Sequence, residues 1–490
     1  MTVNETTSRS GPSGSAAPGR HLAEPGSSSA PPDDLVTRLL CAACYLHDDI
    51  ADFAVASLLF PTRRALSPNW QVDVVALARH AARATGLRST RDKWLNRALG
   101  YVAASAVAGL VLTIGGVINL FQLVLVVLFL AFWAYVVAVG IVYHQLRTAR
   151  RSAVNVVLDP RADPPPPLRS LTAEEALHDL NHCNAVLYRA DAPPFVGSGV
   201  KLDSWQITID ISRRTEPEFE PVTGAELQAA LLELLPGKIS PRPSAEHRLY
   251  VRGGASALSV DLYRIGPTEP DLTEALNFRR PVTVVPRSQL RRYFDRRDES
   301  ARVFTSFQLS SWGGQVVVTL FVRAHVANET LFIEGHVYAL RPLHPELSEV
   351  RSLPVGNAVE LQALGPIALS TATTLLLNAP SVMMKNARTA RLNAANAAEA
   401  DSEIATRRDV DFGAVKSVRE QVTNFDLGEH FAAGDEELYY QVFVRRTMES
   451  IDAFLKSRGV DTTEFAGQSA EIISQTTTNA RTVYGAASDG

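Results

Sequence analysis

The feature that most constrains this chain is a run of 49 residues, Ala98 to Leu146, that contains no Asp, Glu, Lys or Arg. One helix of that length would rise about 74 Å, whereas the hydrocarbon core of a bilayer is about 30 Å thick. The run must therefore turn back on itself. Its most polar and flexible part, from Gly115 to Gln122, is the predicted turn. Two transmembrane spans follow from this turn, at about residues 99–118 and 122–143.

Basic residues flank this run on both sides and are absent from the predicted turn. Under the positive-inside rule both flanks face the cytoplasm. We therefore predict a multi-pass protein of the cell membrane with cytoplasmic N- and C-termini, for which the lipid bilayer is one partner. The alternative is a buried hairpin of a large soluble protein, where two such uncharged helices are rare. The flanking residues are Arg79, Arg83, Arg88, Arg91, Lys93 and Arg97 before the run and Arg147, Arg150 and Arg151 after it.

A second uncharged stretch covers residues 361–384. It contains Pro366, Asn378 and Pro380 together with five Ser or Thr residues, so we expect a buried or interfacial helical segment. The alternative is a third membrane span, which would place the C-terminus outside.

At 490 residues the chain is too long for one compact core. Changes of composition along it predict an α+β membrane protein with several parts. These are a disordered tail at 1–32, a small helical cytoplasmic unit at 33–97, the transmembrane hairpin at 98–146, an Arg- and Pro-rich linker at 147–170, a cytoplasmic α+β domain at 171–345, a mainly helical region at 346–474 and a loose tail at 475–490.

The clearest strand pattern lies in the α+β domain. Three runs rich in Val, Phe, Leu and Thr are separated by short turns and predict an antiparallel meander, at 302–309, 315–325 and 330–340. Apolar spacing predicts helices at 72–84, 223–235 and 436–458. Thr172 and Glu175 have the spacing of a capping box and predict the start of another helix.

Several segments resemble those of a group of actinobacterial transmembrane proteins. They are RLLCAACYLHDDIADFAV (38–55), SPNWQVDVVALARHAARA (67–84), PFVGSG (194–199), SWGGQVVVTLFVRA (311–324), DFGAVKSVREQV (411–422) and GVDTTEF (459–465). The resemblance runs in this order over nearly the whole chain beyond its start. It implies the same membrane architecture and an actinobacterial source, and it transfers no activity, cofactor or catalytic residue.

Two small clusters have spacings that occur in metal sites. Cys41 and Cys44 stand one helical turn apart with His47 beyond them, and His178 and His182 are four residues apart. A closed zinc site needs four ligands, and neither cluster supplies them. The alternatives are buried thiols and surface histidines, so no metal or cofactor is predicted. Only three cysteines are present, which indicates a reducing compartment rather than a disulfide framework.

The loop Gly197, Ser198 and Gly199 is a candidate ligand site together with Trp205. Its backbone N–H groups could form a nest for an anion. It lacks the glycine spacing of a nucleophile elbow and is neither a Walker loop nor a dinucleotide fingerprint. A tight structural turn is the alternative interpretation.

Seven arginines between residues 279 and 297 could contact the headgroups of an anionic leaflet, each contributing about 1 kcal/mol. A solvated loop is the alternative. The slightly acidic chain, of net charge -4, argues against nucleic acid as a partner. The arginines are Arg279, Arg280, Arg287, Arg291, Arg292, Arg296 and Arg297.

No complete catalytic motif occurs in the sequence, and this favours a role other than that of an enzyme. The leading hypothesis is a membrane-anchored cytoplasmic interaction or scaffold protein with a protein partner, and homo-oligomers remain an option. The alternative is a membrane-tethered enzyme or small-ligand sensor that uses the 194–199 loop, Trp205 and the strand histidines His325 and His336, which could face each other across a hairpin. A transporter or channel is less supported, because the spans carry no ionisable residue before His144.

Overall fold

The computed structural model describes residues 35–59, 64–117, 119–159, 163–168, 170–212, 221–254, 281–294, 300–353, 356–378, 411–414, 416–424 and 430–485. The tail at 1–32 that was predicted to be disordered lies outside these residues. The described fold is α+β. Its helices are α1 (Leu35–Leu46), α2 (Asp48–Leu58), α3 (Val74–Ile114), α4 (Leu120–Leu158), α5 (Leu171–Asn181), α6 (Gly224–Lys238), α7 (Arg287–Phe294), α8 (357–378), α9 (Val418–Gln421), α10 (His430–Ser457) and α11 (Thr463–Gly485). Its strands are β1 (Ala185–Tyr188), β2 (Val200–Asp210), β3 (Ser244–Arg252), β4 (Ala301–Ser311), β5 (Val316–Ala327) and β6 (Thr330–Leu340).

The strands form one mixed sheet in the order β1, β3, β4, β5, β6, β2. Only the β1–β3 pair among these strands is parallel, and the other neighbours are antiparallel. The predicted antiparallel meander is confirmed as β4, β5 and β6. Asn328 and Glu329 join β5 to β6 with φ of 50° and 57°, the two left-handed residues that a tight hairpin turn requires.

Helices cover both faces of this sheet. Side chains at alternate strand positions, such as Ile207, Phe307 and Leu320, form one core with α6, α10 and α11. The opposite face carries Phe321 and Tyr338 and forms a second core with α1 to α5. The helical segment at 33–97 that was expected to be its own unit therefore shares a core with the sheet.

Helices α3 and α4 are the two long apolar helices of the described chain. Each is long and apolar enough to cross a membrane, and its most apolar stretch is almost entirely exposed. Helix α3 ends before Gly115, and α4 begins after Asn119, whose side chain and that of Gln122 form a capping box. Helix α3 thus ends at the edge of the predicted turn, and α4 begins within it.

Helix α10 begins at His430 rather than at residue 436, and the structure differs from the predicted helices in three further places. Helix α3 does not stop at residue 84 but continues to Ile114, and just beyond residue 84 Arg88 pairs with Asp48 and Asp52 of α2. Helix α5 is capped by Ser170, whose side chain accepts from the N–H of Ala173, and the Thr172 to Glu175 capping box is wrong.

The third difference is at the C-terminus. Helix α11 runs to Gly485, beyond residue 475, where a loose tail was predicted. Thr476 and Ala480 are four residues apart on one helical face and are almost fully buried. This burial stabilises the helix although its sequence is polar.

Candidate functional site

The loop PFVGSG, residues 194–199, lies on the sheet face that is covered by α1 to α5. Phe195 anchors it: the ring stacks on Phe321 with 4.2 Å between centroids and meets Tyr250 and Phe304 edge-on at 5.0 Å. Such aromatic pairs add stability beyond the area that they bury. The loop is therefore fixed in the core before its glycines begin.

The two glycines of this loop hold a carboxylate that comes from far along the chain. Gly197 and Gly199 have φ of 87° and 85°, which L side chains rarely adopt. Their N–H groups both donate to Oε1 of Glu420, at 2.9 and 3.0 Å. The anion-binding nest that the sequence indicated is thus present, and it is filled by Glu420 of the same chain.

Burial raises the pKa of Glu420, and the N–H groups of Gly199, Ser417 and Gly197 oppose this by stabilising the charged form. The Ser198 hydroxyl between the glycines is 1% exposed and has no hydrogen-bond partner among the described residues. Its geometry is that of a buried turn, without a base to activate it as a nucleophile.

Trp205 lies on the other side of the sheet. It pairs with Gly335 of β6, where a Cβ atom would stand only 2.2 Å from the indole ring, and it belongs to the core with α6, α10 and α11. The structure therefore does not bring the 194–199 loop and Trp205 together.

The strand histidines do not face each other across the β5–β6 hairpin, so that prediction is wrong. His325 is opposite Phe332 and stacks on it at 5.0 Å, whereas His336 is opposite Phe321. The two imidazoles lie on the same face of the sheet, but their residue pairs are four positions apart along β5. His336 lies instead 3.7 Å from the Glu334 carboxylate.

All three cysteines are buried, and none of them forms a disulfide bond. Burial raises the pKa of Cys44 and of Cys183 to about 12, which disfavours the thiolate that zinc requires. His178 and His182 have ring centroids 5.3 Å apart at the end of α5. The described residues contain no group of three His, Cys, Asp or Glu side chains that could hold a metal ion.

The arginine cluster is described only in part. Helix α7 buries Leu290 and Tyr293 against β3 and β4 and leaves its arginines exposed, on the sheet face opposite to α1 to α5. The exposed residues are Arg287, Arg291 and Arg292, while Arg279, Arg280, Arg296 and Arg297 lie outside the described residues.

The segment DFGA, residues 411–414, passes between β1 and the end of β3. Gly413 has no room for a side chain, because a Cβ atom there would lie 2.3 Å from the backbone of Tyr188 and Arg189. The N–H of Ala414 donates to the carbonyl of Leu187, and that of Phe412 donates to the carbonyl of Gly253. This segment therefore has a structural role, because it hydrogen-bonds both to β1 and to the residue after β3.

A groove of about 570 Å³ lies where α1 and α2 meet two later segments of the chain. Its floor is apolar and its rim carries acidic groups and imidazoles. No sequence motif indicated it, because its parts are separated by about 300 residues of chain. The lining residues are His47, Asp49, Ile50, Phe53, His344, Glu346, Leu347, Gln421, Val422 and Thr423.

A family model, described as an AbeC-like domain, matches residues 204–486, which is more than half of the chain. The protein belongs to the AbeC-like family. No curated protein and no solved structure matches the chain.

The AbeC-like domain supplies only part of the site at the 194–199 loop and only part of the groove. It begins inside β2 and includes Glu420, whereas the loop that Glu420 fills precedes it. The groove likewise joins His344 and Glu346 of the AbeC-like domain to Asp49 and Phe53 of the preceding helices. Both features therefore depend on the association of the domain with the helices before it.

A buried polar network connects these preceding helices to the linker. The Tyr45 hydroxyl lies 3.0 Å from Nδ1 of His80, and Arg83 pairs with Asp163 at 2.8 Å. The hydroxyl of Ser152 also donates to Asp163 at 3.0 Å. Helices α1, α3 and α4 are thus tied to residue 163 of the linker.

We expect this network to make the fold sensitive to acid. Burial lowers the pKa of His80 to about 4, below the value of about 6.5 in an unfolded chain. The unfolded state therefore binds the proton first, and stability that is complete above pH 6.5 declines by about 1.4 kcal/mol per unit as the pH falls towards 4. Urea unfolding of the protein at pH 7.5 and pH 5 measures this decline.

The variant His80→Gln should show a shallower acid decline, because the protonated group is gone. The matched control is His178→Gln, since His178 is exposed on α5. An equal change of slope in both variants would contradict the assignment to His80.

Proposed function

We propose that this protein is a membrane-anchored interaction protein that holds its AbeC-like domain at the cytoplasmic face of the cell membrane, where the domain binds a protein partner. The observation that carries this proposal is the continuity of two helices. Helices α3 and α4 each pass without a break from an exposed apolar stretch into the layer that packs on the sheet. The segments that resemble actinobacterial transmembrane proteins, and the preference for Arg over Lys among the basic residues, support an actinobacterial source.

The apolar stretches support insertion in a bilayer. Large hydrophobic side chains there are highly exposed, for example 80% at Ile114 and 75% at Phe121. Contact of so much apolar surface with water would be energetically unfavourable. Backbone polar groups in this region are satisfied within the helices, as a bilayer requires. The two spans at 99–118 and 122–143 are retained in this proposal.

The opposite ends of the same helices support a fixed placement of the domain. Ala81 of α3 and Ala153 of α4 are fully buried in the core shared with the sheet. A helix that continues from the bilayer into such a core does not act as a flexible tether. This arrangement suits a protein whose role is to present a surface.

The groove is the surface that we assign to the partner. Asp49 and Glu346 give its rim a negative charge, and Phe53 and Leu347 give it an apolar floor. An extended protein segment with one basic and one apolar side chain complements these groups.

Reporter fusions and co-purification test the proposal in the same cells. We expect fusions at residue 163 and at the C-terminus to report the cytoplasm, because both flanks of the hairpin carry arginine. The purified protein should recover a partner that Glu346→Lys no longer retains. The control Glu349→Lys, on the same short helix but outside the groove, should retain it.

Several results would contradict the proposal. A soluble protein on fractionation, or an outside C-terminus, would overturn the membrane arrangement. A partner that both lysine variants retain, or a clean catalytic turnover, would overturn the role of the groove.

A further inference from the structure

We propose that helix α8 inserts into the cytoplasmic leaflet beside α4 as a re-entrant membrane helix that contacts lipid acyl chains. The inference rests on the membrane anchoring proposed above and adds a third membrane element, supplied by the AbeC-like domain itself. The occupant of the outer face of α8 is thus hydrocarbon.

Helix α8 packs closely along α4. Ala368 and Ala372 of α8 and Ala138 and Val142 of α4 are all fully buried in one small cluster with Leu95. The alanines are four residues apart and allow the two backbones to approach, as small residues do between membrane helices.

The cytoplasmic end of this contact is fixed by charge. Glu360, at the start of α8, is 2% exposed and pairs with Arg147 at 2.9 Å and with Arg151 at 3.0 Å. The amide oxygen of Asn357 accepts from Arg151 at 2.9 Å. These arginines end the uncharged run, so α8 begins at the level where the second span leaves the bilayer.

From that level α8 runs antiparallel to α4, towards the turn between the two spans. The Tyr135 hydroxyl of α4 lies 3.0 Å from Oγ1 of Thr373. Tyr135 is 12 residues before Arg147, or about 18 Å along the helix axis. Thr373 therefore lies close to the middle of a hydrocarbon core that is about 30 Å thick.

Helix α8 leaves large apolar side chains exposed, and such side chains suit hydrocarbon. Leu361 is 58% exposed, Ile367 49% and Leu377 78%. The hydroxyls on this helix donate to its own backbone, from Ser370 to the carbonyl of Ile367 at 3.0 Å and from Thr374 to that of Ser370 at 3.0 Å. Such internal hydrogen bonds let hydroxyl residues enter a bilayer at little cost.

The path of the chain excludes a single complete crossing. Leu343 before α8 and the DFGA segment after it both pack on the sheet body, so the chain leaves and returns on one side. Residues 385–410 contain Lys385, Arg388 and Arg391 and no uncharged stretch long enough to cross back. The third span that would place the C-terminus outside is incompatible with this path.

Depth-dependent fluorescence quenching tests the inference in the full-length protein. The native cysteines are buried, so a bimane label would attach to a cysteine introduced at an exposed position. We expect the label on Leu377→Cys to be quenched by lipids with a nitroxide near the bilayer centre at least as strongly as the label on Val137→Cys, which lies nearer the cytoplasmic side. Val137 is an exposed residue of α4 within the proposed second span.

Phe431→Cys is the matched aqueous control, because Phe431 is a 75% exposed apolar residue on α10. Quenching at Leu377 no greater than at Phe431, with strong quenching at Val137, would overturn the insertion of α8 alone. Absence of quenching at Val137 as well would overturn the membrane anchoring on which it rests. Labelling of Ser381→Cys by an impermeant reagent from outside would overturn the re-entrant path.

Discussion

Replacing Glu436 with alanine should lower the free energy of unfolding by about 3–5 kcal/mol. Glu436 of α10 is 1% exposed and pairs with Arg341, which is 8% exposed, just after β6. Nε of Arg341 donates to both carboxylate oxygens at 3.3 Å, and Nη2 donates to Oε1 at 3.2 Å, so two guanidinium nitrogens contact the carboxylate. The substitution would take this hydrogen-bonded, charged partner away from a guanidinium that is itself buried.

The effect is measured by urea unfolding of the detergent-solubilised protein, followed by circular dichroism. The control is Glu449→Ala on the same helix, which breaks the exposed pair of Arg446 and Glu449 at 2.7 Å. An exposed pair of this kind contributes at most about 1 kcal/mol. Equal destabilisation by both variants would show that the burial of Glu436 does not matter.

The substitution Gly199→Ala should destabilise the protein by at least about 2 kcal/mol, since the left-handed backbone alone costs about 1–2 and overpacking a core typically about 1–3. Gly199 has φ of 85°, and a Cβ atom there would lie 2.2 Å from the carbonyl oxygen of Ala339 in β6. Neither backbone can move freely, because the Gly199 N–H also donates to Glu420.

Gly237→Ala is the control for this second substitution. Gly237 lies in the last turn of α6, and nothing would stand within 4 Å of its Cβ atom. Alanine is the better helix former there, so stability should be unchanged or rise by up to about 1 kcal/mol. Thermal unfolding that ranks the two variants in the opposite order would refute the role assigned to the loop.

Sequence patterns correctly predicted those helices and strands that depend on neighbouring residues in the chain. The meander followed from three apolar runs and short turns, and α6 followed from the apolar spacing that begins at Thr223, which caps the helix together with Glu226. Strand β3 was missed because SAEHRLYVR reads as polar. Its Arg248 is nevertheless 3% exposed and stacks at 3.7 Å on Trp70, a partner that lies far away in the sequence.

The candidate site likewise combines a part that the local sequence predicts with a part that depends on residues far apart in the chain. The glycines of the 194–199 loop indicated N–H groups aimed at an anion, and those groups are present. The sequence could not show that the anion is Glu420, which lies 221 residues beyond Gly199. Long-range pairing of this kind depends on the whole topology, since β1 pairs in parallel with β3 and the segment after residue 410 returns beside β1.

The packing of Phe195 limits how the AbeC-like domain can be transferred from one protein to another during evolution. The family match starts at residue 204, yet the aromatic face formed by Tyr250, Phe304 and Phe321 is covered by Phe195, which precedes it. In this chain the matched residues thus share a hydrophobic core with residues that precede them. A gene fusion that transferred them alone would expose that face to water, so each recipient protein must supply its own cover.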